Sequence, residues 1–246
     1  MQKTDVIILA GGYGKRMQSD LPKALVTLGG KALIEHVIGA VKGSGISENP
    51  IIVVGQKRDE LMKALGDGYR FAVQEEQLGT GHAVMSAMSY VKDECESVLV
   101  LYADHPYVTS ETIKKLSKLR KNEDATLVIA TVQLPDFSGW YNVFQSFGRI
   151  KRNENGEVVG IVEAKDATED EKKIQEVNPA YFCFEKKWLE ESLSKIDNKN
   201  AQGEYYLTDL VKIAVSEKQK ISTLKIEARE ALGTNSKEDL EAVSSL

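Results

Sequence analysis

The sequence predicts a single α/β domain whose central sheet is mixed but mainly parallel, with helices flanking it. Short runs rich in valine and isoleucine alternate with longer segments of helical period, which is the pattern of βαβ units. The chain has 246 residues, of which 42% are hydrophobic, and this length suits one large core or at most two small ones. With only 5 prolines and no low-complexity tract, no segment is typical of a linker between domains.

The first half of the chain shows the alternation most clearly. Runs such as "VIILA" predict strands because they are short, apolar and bounded by turn residues. Segments such as "LIEHVIGAVKGSG" place apolar residues at helical spacing and end in glycine. In chain order the predicted elements are strand 6–10, helix 33–45, strand 50–55, helix 58–65, strand 71–74, helix 79–91, strand 97–104, helix 110–122 and strand 125–132.

After about Pro135 the rhythm changes. The residues "NENG" stand between two alternating segments within 148–163, which predicts a β-hairpin rather than a crossover connection. The remaining predicted elements are strand 180–185, helices 186–196 and 206–218, strand 221–226, and a terminal helix over 236–246 with Ser236 as its N-cap.

Composition limits the partners of this chain. The formal net charge of -5 argues against a nucleic-acid surface, which needs clustered positive charge. No run approaches the roughly 18 apolar residues of a membrane helix, and no basic leader precedes the first strand. Cys95 and Cys183 show no paired spacing, so neither a disulfide framework nor a thiolate metal site is indicated. We therefore expect a cytoplasmic protein that binds neither nucleic acid nor membrane.

The stretch "LAGGYGKRM", residues 9–17, follows the first strand and indicates a phosphate-binding loop. The dinucleotide fingerprint needs a glycine where Met17 stands and a carboxylate after the second strand, and both are missing. The P-loop pattern also fails, because no Gly-Lys-Ser/Thr follows. Lys15 and Arg16 come directly after the glycines and Lys23 soon after, so backbone amides and cations together favour a polyphosphate. The alternative is a tight turn flanked by solvated cations.

Further motifs identify a family. In chain order they are "LAGGYGKRM" with "LPK", "VQEEQLGTGHAV", "VLYADHPYV", "GRI" with "GEVVGIVEAKDAT" and "IQEVNPA", "NAQGEYYLTDL", and "EALGTN". Over nearly the whole chain this series resembles the sugar-1-phosphate nucleotidyltransferase family. It is most similar to the uridyltransferase (pyrophosphorylase) domain of the bifunctional N-acetylglucosamine-1-phosphate uridyltransferase/glucosamine-1-phosphate acetyltransferase. The resemblance implies a Rossmann-like nucleotide-diphospho-sugar transferase fold with a small β-hairpin sugar-binding subregion.

The activity that the resemblance implies is uridylyl transfer from UTP to a sugar 1-phosphate, with pyrophosphate as the second product and Mg²⁺ as the cofactor. N-acetylglucosamine 1-phosphate is the expected acceptor. One domain over 1–246 would comprise a nucleotide-binding half of about 1–133 and a sugar-binding half of about 134–246. We expect no β-helix acetyltransferase domain here, so acetyl transfer and trimerisation do not carry over, and the oligomeric state stays open.

The resemblance also assigns roles to individual residues. Arg16 and Lys23 would neutralise phosphate charge as catalytic residues. Asp104 and Asn235 would hold Mg²⁺, a cation that prefers oxygen ligands. Asp104 also stands at the C-terminal end of a predicted strand, the edge where open α/β sheets bind ligands. Gln74 would read the uracil edge, since a side-chain amide offers both a donor and an acceptor. The remaining assignments are nucleotide contacts from Leu9, Ala10, Gly11, Gly12, Gly14, Gly79 and Thr80, and sugar contacts from Tyr102, Gly148, Glu163 and Asn178.

Three stretches depart from the family pattern, so the acceptor is less determined than the reaction class. "FSGWYNVFQSFGRI" is longer and more aromatic than the matching turn of close relatives, "NPA" stands where they commonly have "NTG", and "ADHP" lacks their glycine before the aspartate. The aromatic side chains of Trp140, Tyr141, Phe144 and Phe147 would stack on a sugar, form a lid, or pack as a satellite core, and we favour packing.

Alternatives remain at two levels. His82 is expected to be structural, whereas a phosphate contact is the alternative for His105. For the whole chain, the rivals are transfer to another sugar 1-phosphate such as glucose 1-phosphate, transfer from another nucleotide, or a non-catalytic nucleotide-sugar sensor. The sensor is disfavoured because it would be free to lose Arg16, Lys23, Asp104 or Asn235, and all four are present. An NAD-dependent oxidoreductase ranks behind all of these.

Overall fold

Strands and helices alternate along most of this chain, as the sequence predicts. The computed structural model describes residues 3–12 and 21–234. Its helices are α1 Leu33–Ser44, α2 Arg58–Leu65, α3 Thr80–Ala87, α4 Ser110–Glu123, α5 Lys186–Leu193 and α6 Asp209–Ser216. Its strands are β1 Thr4–Leu9, β2 Thr27–Leu28, β3 Lys31–Ala32, β4 Ile51–Val54, β5 Arg70–Val73, β6 Ser97–Tyr102, β7 Leu127–Gln133, β8 Gly148–Arg152, β9 Val158–Val162, β10 Glu176–Asn178, β11 Phe182–Glu185 and β12 Ile221–Lys225.

Ten of the described strands form one mixed sheet. The strand order is β5-β4-β1-β6-β11-β7-β10-β8-β9, and β12 pairs with β7 outside this path. The four strands from β5 to β6 are mutually parallel, and β12 is parallel to β7. The mainly parallel, mixed α/β fold predicted from the sequence is therefore confirmed.

Both faces of the sheet are buried, because its central strands are apolar along their length and successive side chains point to opposite faces. Every residue of β1 is buried, with Val6 and Ile8 in one hydrophobic cluster and Ile7 and Leu9 in another. The first cluster includes side chains of α1 and α4, and the second includes side chains of α3, α5 and α6. Period-two strands packed between two helical layers give this arrangement.

The second half of the chain completes the sheet of the first. Strand β11 lies antiparallel between β6 and β7, with Cys183 opposite both Leu99 and Val128. Strands β6 and β7 run in the same direction, and the strand between them comes much later in the sequence.

The predicted hairpin is confirmed as β8 and β9, and its turn is built by Asn153. The side-chain oxygen of Asn153 accepts hydrogen bonds from the backbone N–H of Asn155 and Glu157, while Gly156 adopts φ +79°. The turn residues "NENG" therefore have the role expected of them.

Several predicted boundaries differ from the structure. Helix α3 ends at Ala87 and a 3-10 turn over Met88–Tyr90 follows it, whereas one helix over 79–91 was expected. The sequence pattern also missed the short strand β10. The terminal helix expected over 236–246, with its N-cap Ser236, lies outside the described residues. Among the helices that are described, none is long and apolar enough to cross a membrane.

Candidate active site

The carboxyl ends of parallel strands meet along one edge of the sheet and line a cavity of about 250 Å³. Strand β1 ends at Leu9 and β6 at Tyr102, and these two residues are register partners. Ligands bind at this edge in open α/β sheets. The lining includes every described residue predicted to bind the nucleotide, namely Leu9, Ala10, Gly11, Gly12, Gln74, Gly79 and Thr80, together with Lys23 and Asp104.

The glycines after β1 allow close approach of backbone groups. A Cβ on Gly55 would lie 2.7 Å from the carbonyl oxygen of Gly11, so a larger residue there would displace the loop. The side-chain amide of Gln77 donates a hydrogen bond to the same Gly11 oxygen. This narrow packing fixes the floor of the cavity beside Gly11 and Gly12.

Gln74, at the end of β5, is held by two groups from the start of α3. Its Nε2 donates to the carbonyl oxygen of Gly79 at 3.0 Å and lies 3.1 Å from Nδ1 of His82. Gly79 adopts φ +110°, and a Cβ there would lie 2.7 Å from the carbonyl oxygen of Tyr205. Only glycine fits this position, because both the backbone conformation and the space exclude a side chain.

Lys23 and Asp104 form an ion pair on the cavity wall. The Nζ of Lys23 donates to Oδ2 of Asp104, and the two side chains are only 12% and 17% exposed. Burial disfavours the charged carboxylate, but Lys23 and then His105 outweigh this effect and hold the pKa of Asp104 below its usual value. The cavity therefore contains an ionised carboxylate that is already compensated by an ammonium group.

A second cavity of about 250 Å³ adjoins the first. All four residues predicted to bind the sugar line it, namely Tyr102, Gly148, Glu163 and Asn178. Thr80, Tyr102, Asp104 and Glu204 line both cavities, so the two spaces meet beside Asp104. The structure thus brings together the described members of both predicted sets.

Glu163 is the buried carboxylate of the second cavity. Its Oε1 accepts a hydrogen bond from the hydroxyl of Thr208 at 2.8 Å. Burial raises the pKa of Glu163, the Thr208 hydroxyl opposes this shift, and Asp166 and Asp209 add to it. A Cβ on Gly148 would lie 2.9 Å from Ile161, so that glycine leaves room beside the carboxylate.

Asn178 is fixed by the backbone that follows it. Its Oδ1 accepts the N–H of Ala180 at 2.9 Å, which leaves the side-chain NH₂ as the group available to a ligand. Ala180, which also lines the cavity, adopts φ +63°. This left-handed conformation is the one that glycine takes most easily, and glycine is the residue that the family pattern has here.

Replacing Ala180 with glycine is expected to stabilise the fold by about 0.5 kcal/mol. Relief of the left-handed strain, of order 1 kcal/mol, exceeds the entropy that glycine adds to the unfolded chain. Thermal unfolding should show a rise of about 1 to 2 °C. Ala201→Gly is the control, because Ala201 is exposed and is not among the described residues with positive φ, so glycine should destabilise there. A lower melting temperature for Ala180→Gly would contradict the strain argument.

The aromatic segment packs mainly as a satellite of the core. A 3-10 turn over Gly139–Ser146 buries Phe144 completely, and Trp140 and Tyr141 pack against the same cluster. Phe147 lines the sugar-side cavity, with its ring centroid 6.1 Å from that of His105. The packing prediction therefore describes all four aromatic residues, because Phe147 packs against the same cluster, and Phe147 also forms part of the cavity wall.

His105 is a buried wall residue whose orientation is set by Tyr181. Tyr181 donates its hydroxyl hydrogen to the carbonyl oxygen of Glu230 at 2.8 Å, so His105 Nδ1, 3.2 Å away, must donate to that hydroxyl. Burial lowers the pKa of His105, although Asp104 opposes the shift. The ring packs against those of Tyr102 and Phe147.

Three predicted residues lie outside the described chain: Gly14, Arg16 and Asn235. The described chain reaches Thr234, whose backbone N–H donates to the carbonyl oxygen of Asp104 at 3.0 Å. Conversely, the structure adds lining residues that had no predicted role, namely Gln77, Gln202, Glu204, Tyr206 and Thr208. Most of these lie in the motif "NAQGEYYLTDL", so the motif itself was the signal for them.

Several known proteins are similar to this chain in sequence. The sequence profile described as a MobA-like NTP transferase domain matches residues 6–204. The chain is 44% identical over 241 residues to the bifunctional protein GlmU of Caldicellulosiruptor saccharolyticus, covering 97% of this chain and 50% of that protein. It is 38% identical to the bifunctional protein GlmU of Desulfotalea psychrophila, covering 96% of this chain and 68% of that protein. The chain thus spans about half the length of several curated relatives.

Two solved structures share the fold at low sequence identity. A putative glucose-1-phosphate thymidylyltransferase from Bacillus anthracis, in complex with a sucrose, superposes with a TM-score of 0.77 at 16% identity over 98% of this chain and 94% of that chain. A UDP-glucose pyrophosphorylase complexed with UDP-glucose superposes with a TM-score of 0.76 at 19% identity over 100% and 98%.

Proposed function

Because this chain belongs to the MobA-like NTP transferase domain family, we propose that it transfers a uridylyl group from UTP to N-acetylglucosamine 1-phosphate, releasing pyrophosphate. The family resemblance predicted from the motifs is confirmed by the relatives named above. The observation that carries the proposal is the meeting of two cavities beside the Lys23–Asp104 pair.

The reaction joins two anions, so the protein has to position them and neutralise charge. A phosphate oxygen of the sugar 1-phosphate attacks the α-phosphorus of UTP, and the bond to pyrophosphate breaks on the opposite side. Holding both substrates in line supplies much of the rate, and fixed positive charge supplies most of the rest. In the proposed complex UTP occupies the first cavity, the sugar occupies the second, and Lys23 contacts the phosphates at the junction.

Mg²⁺ is the cofactor that we propose for this site. Asp104 fits it, because the carboxylate is held in its charged form at the junction of the cavities and Mg²⁺ usually takes one or two protein oxygens. Asn235, one residue beyond Thr234, is proposed as the second protein ligand. When bound, the ion would neutralise charge on the phosphate oxygens.

Gln74 is proposed to read the base by its acceptor oxygen. Uracil presents an N–H donor at N3, whereas cytosine presents a lone pair there. An oxygen at Gln74 Oε1 attracts the first and repels the second. Gln74 lines the nucleotide cavity between Gly11 and Gly79, where the base would lie.

The acceptor cavity offers complementary groups for a sugar. Glu163 provides acceptor oxygens for ring hydroxyls, and the NH₂ of Asn178 provides a donor for a hydroxyl or an amide oxygen. The choice of N-acetylglucosamine over glucose follows the sequence motifs, and the acceptor panel described next tests it.

Pyrophosphate release tests the proposed function directly. The intact protein is incubated with Mg²⁺, UTP and one acceptor at a time, either N-acetylglucosamine 1-phosphate, glucose 1-phosphate or galactose 1-phosphate. We expect release with the N-acetyl sugar and at most a few per cent of that rate with the others. Preferential use of another sugar would keep the reaction class and change the acceptor, and no release with any sugar or nucleotide would favour a sensor.

Glu163→Gln is expected to raise KM for the acceptor about tenfold or more, with little change in KM for UTP. The charged oxygen that accepts a sugar hydroxyl is lost, and a hydrogen bond to a charged group is worth about 1.5 to 3 kcal/mol. Steady-state kinetics with each substrate varied in turn measures this effect.

Stability provides the control for the same variant. Since burial raises the pKa of Glu163 above its unfolded value of about 4.3, the ionised carboxylate destabilises the fold and stability falls as pH rises through that range. Glu163→Gln removes this dependence, so at pH 7 it should unfold no more easily than the wild type. A strongly destabilised variant would mean that the KM effect is not specific.

A further inference from the structure

His82 is positioned to control how Gln74 presents its amide to the cavity. His82 lies on α3, and its Nδ1 is 3.1 Å from Gln74 Nε2. The other neighbour of that nitrogen is the carbonyl oxygen of Gly79, at 3.0 Å. Both contacts are made by the Nε2 end of the Gln74 amide, whereas its Oε1 end lies on the side of Gly11.

The chemistry of these neighbours fixes the orientation of the amide. A backbone carbonyl only accepts hydrogen bonds, so the NH₂ end of Gln74 must face Gly79. Its second hydrogen then points to His82, and Nδ1 of His82 must accept it. The imidazole is therefore neutral and carries its proton on Nε2.

As a consequence, Gln74 presents only oxygen to a ligand. Both amide hydrogens are used within the protein, and no described residue donates a hydrogen bond to Oε1. A Cβ on Gly11 would lie 3.2 Å from Oε1, a tight contact, so the glycine keeps the space beside that oxygen free. The flipped amide would present NH₂ instead, which matches the N3 lone pair of cytosine.

We propose that His82 is a positioning residue that sets pyrimidine selectivity by holding the Gln74 amide with its oxygen toward the base. This inference rests on the proposed function only in taking UTP as the nucleotide. His82 does not contact the base in this scheme, and its effect passes entirely through Gln74. Selectivity for an N3–H donor therefore depends on Gln74, which contacts the base, and on His82, which does not.

The test compares UTP with CTP in the wild type and four variants. His82→Phe keeps an aromatic ring near Tyr205 and removes the acceptor nitrogen, whereas His82→Asn places a side-chain oxygen near the position of Nδ1. Gln74→Ala and the double variant Gln74→Ala/His82→Phe complete a double-mutant cycle. Dissociation constants for both nucleotides are measured by calorimetry with Mg²⁺, and kcat/KM is measured for both with the acceptor present.

We expect His82→Phe to lower the preference for UTP over CTP about tenfold, the factor that one hydrogen bond is worth. His82→Asn should retain the preference within about twofold of wild type, since an acceptor is restored. In the Gln74→Ala background, His82→Phe should leave the ratio unchanged. A residue that only supports α3 would weaken both nucleotides alike and would do so in either background.

Two outcomes overturn the inference. One is an unchanged UTP/CTP ratio in His82→Phe while Gln74→Ala loses the preference, which would leave the proposed function intact. The other is a wild type that binds UTP and CTP equally, which would remove base reading by Gln74 as well. Selective binding of UTP without turnover on any acceptor would instead contradict the proposed function and keep the inference testable by calorimetry.

Discussion

Asp104→Ala is expected to lower Mg²⁺-dependent turnover about a thousandfold. The carboxylate lies where the two cavities meet and is held ionised by Lys23, so its loss removes a hard oxygen ligand and alters the charge at the reacting phosphates. Pyrophosphate release measured over a Mg²⁺ titration checks this. Asp104→Asn keeps one oxygen and loses the charge. Its turnover should fall between those of the wild type and Asp104→Ala, and it should require more Mg²⁺.

Asp67→Ala is the matched control for that experiment. Asp67 is an exposed carboxylate before β5, at the opposite edge of the sheet, so its removal should leave turnover and Mg²⁺ dependence unchanged. A folded Asp104→Ala protein that keeps more than a tenth of wild-type turnover would show that this carboxylate does not serve the reaction.

Lys23→Ala is expected to lower kcat about 100- to 1000-fold, the usual effect of deleting one charge-stabilising group in an active site. Lys23 lines the same cavity as Gly12 and its ammonium pairs with Asp104, so it is in place to contact phosphate oxygens. Lys23→Arg should recover part of the rate, because it keeps the charge but not the compact geometry. Steady-state kinetics with UTP varied distinguishes loss of kcat from weaker binding.

Lys31→Ala is the control for Lys23, since Lys31 is an exposed cation on β3 that does not line the cavity.

Loss of Lys23 is also expected to lower stability. Lys23→Ala leaves the buried Asp104 carboxylate without its ammonium and should cost about 3 kcal/mol in the free energy of unfolding. Adding Asp104→Ala should restore much of that loss. If the double variant is no more stable than Lys23→Ala, the ion pair is not the source of the destabilisation.

The pH dependence of stability follows from the same pair. The pKa of Asp104 is lowered in the folded protein, so the carboxylate stabilises the fold above its unfolded pKa of about 3.9 and loses this contribution as pH falls below it. In Lys23→Ala, burial remains while the strongest favourable partner is gone. The variant should therefore show its largest deficit near neutral pH and approach the wild type in acid.

Much of the site was predictable because its candidate residues lie in short, continuous sequence motifs. Each motif contains a residue of the type that the chemistry needs, namely Lys23, Gln74, Asp104 and Glu163. The strand ends that hold them were predictable from the short apolar runs. The parallel pairing then places those strand ends at one edge, which is how Gln74 and Asp104 come to line one cavity.

What the sequence left open depends on contacts between residues that are far apart in the chain. Glu204 lines both cavities because Tyr205 donates to the carbonyl oxygen of Leu78 and accepts from Gly81, a pairing that no local pattern encodes. The left-handed backbone of Ala180 was hidden because alanine carries no signal for it. Similarly, the restraint of Gln74 by His82 follows from a tautomer, and a tautomer is set by neighbours in space.

The late arrival of β11 has a consequence for synthesis on the ribosome. Strand β6 receives its second partner only when the segment beginning at Phe182 has emerged, about eighty residues later, or roughly 4 to 16 s at ordinary translation rates. Until β10 and β11 emerge, β6 presents one unpaired edge and β7 presents two, because the described partners of β7 all follow it in the chain. Such edges pair readily with other chains. A nascent chain of this protein is therefore most exposed to aggregation after β6 and β7 have emerged and before β11 emerges. Chaperone binding during translation would protect it most in that interval.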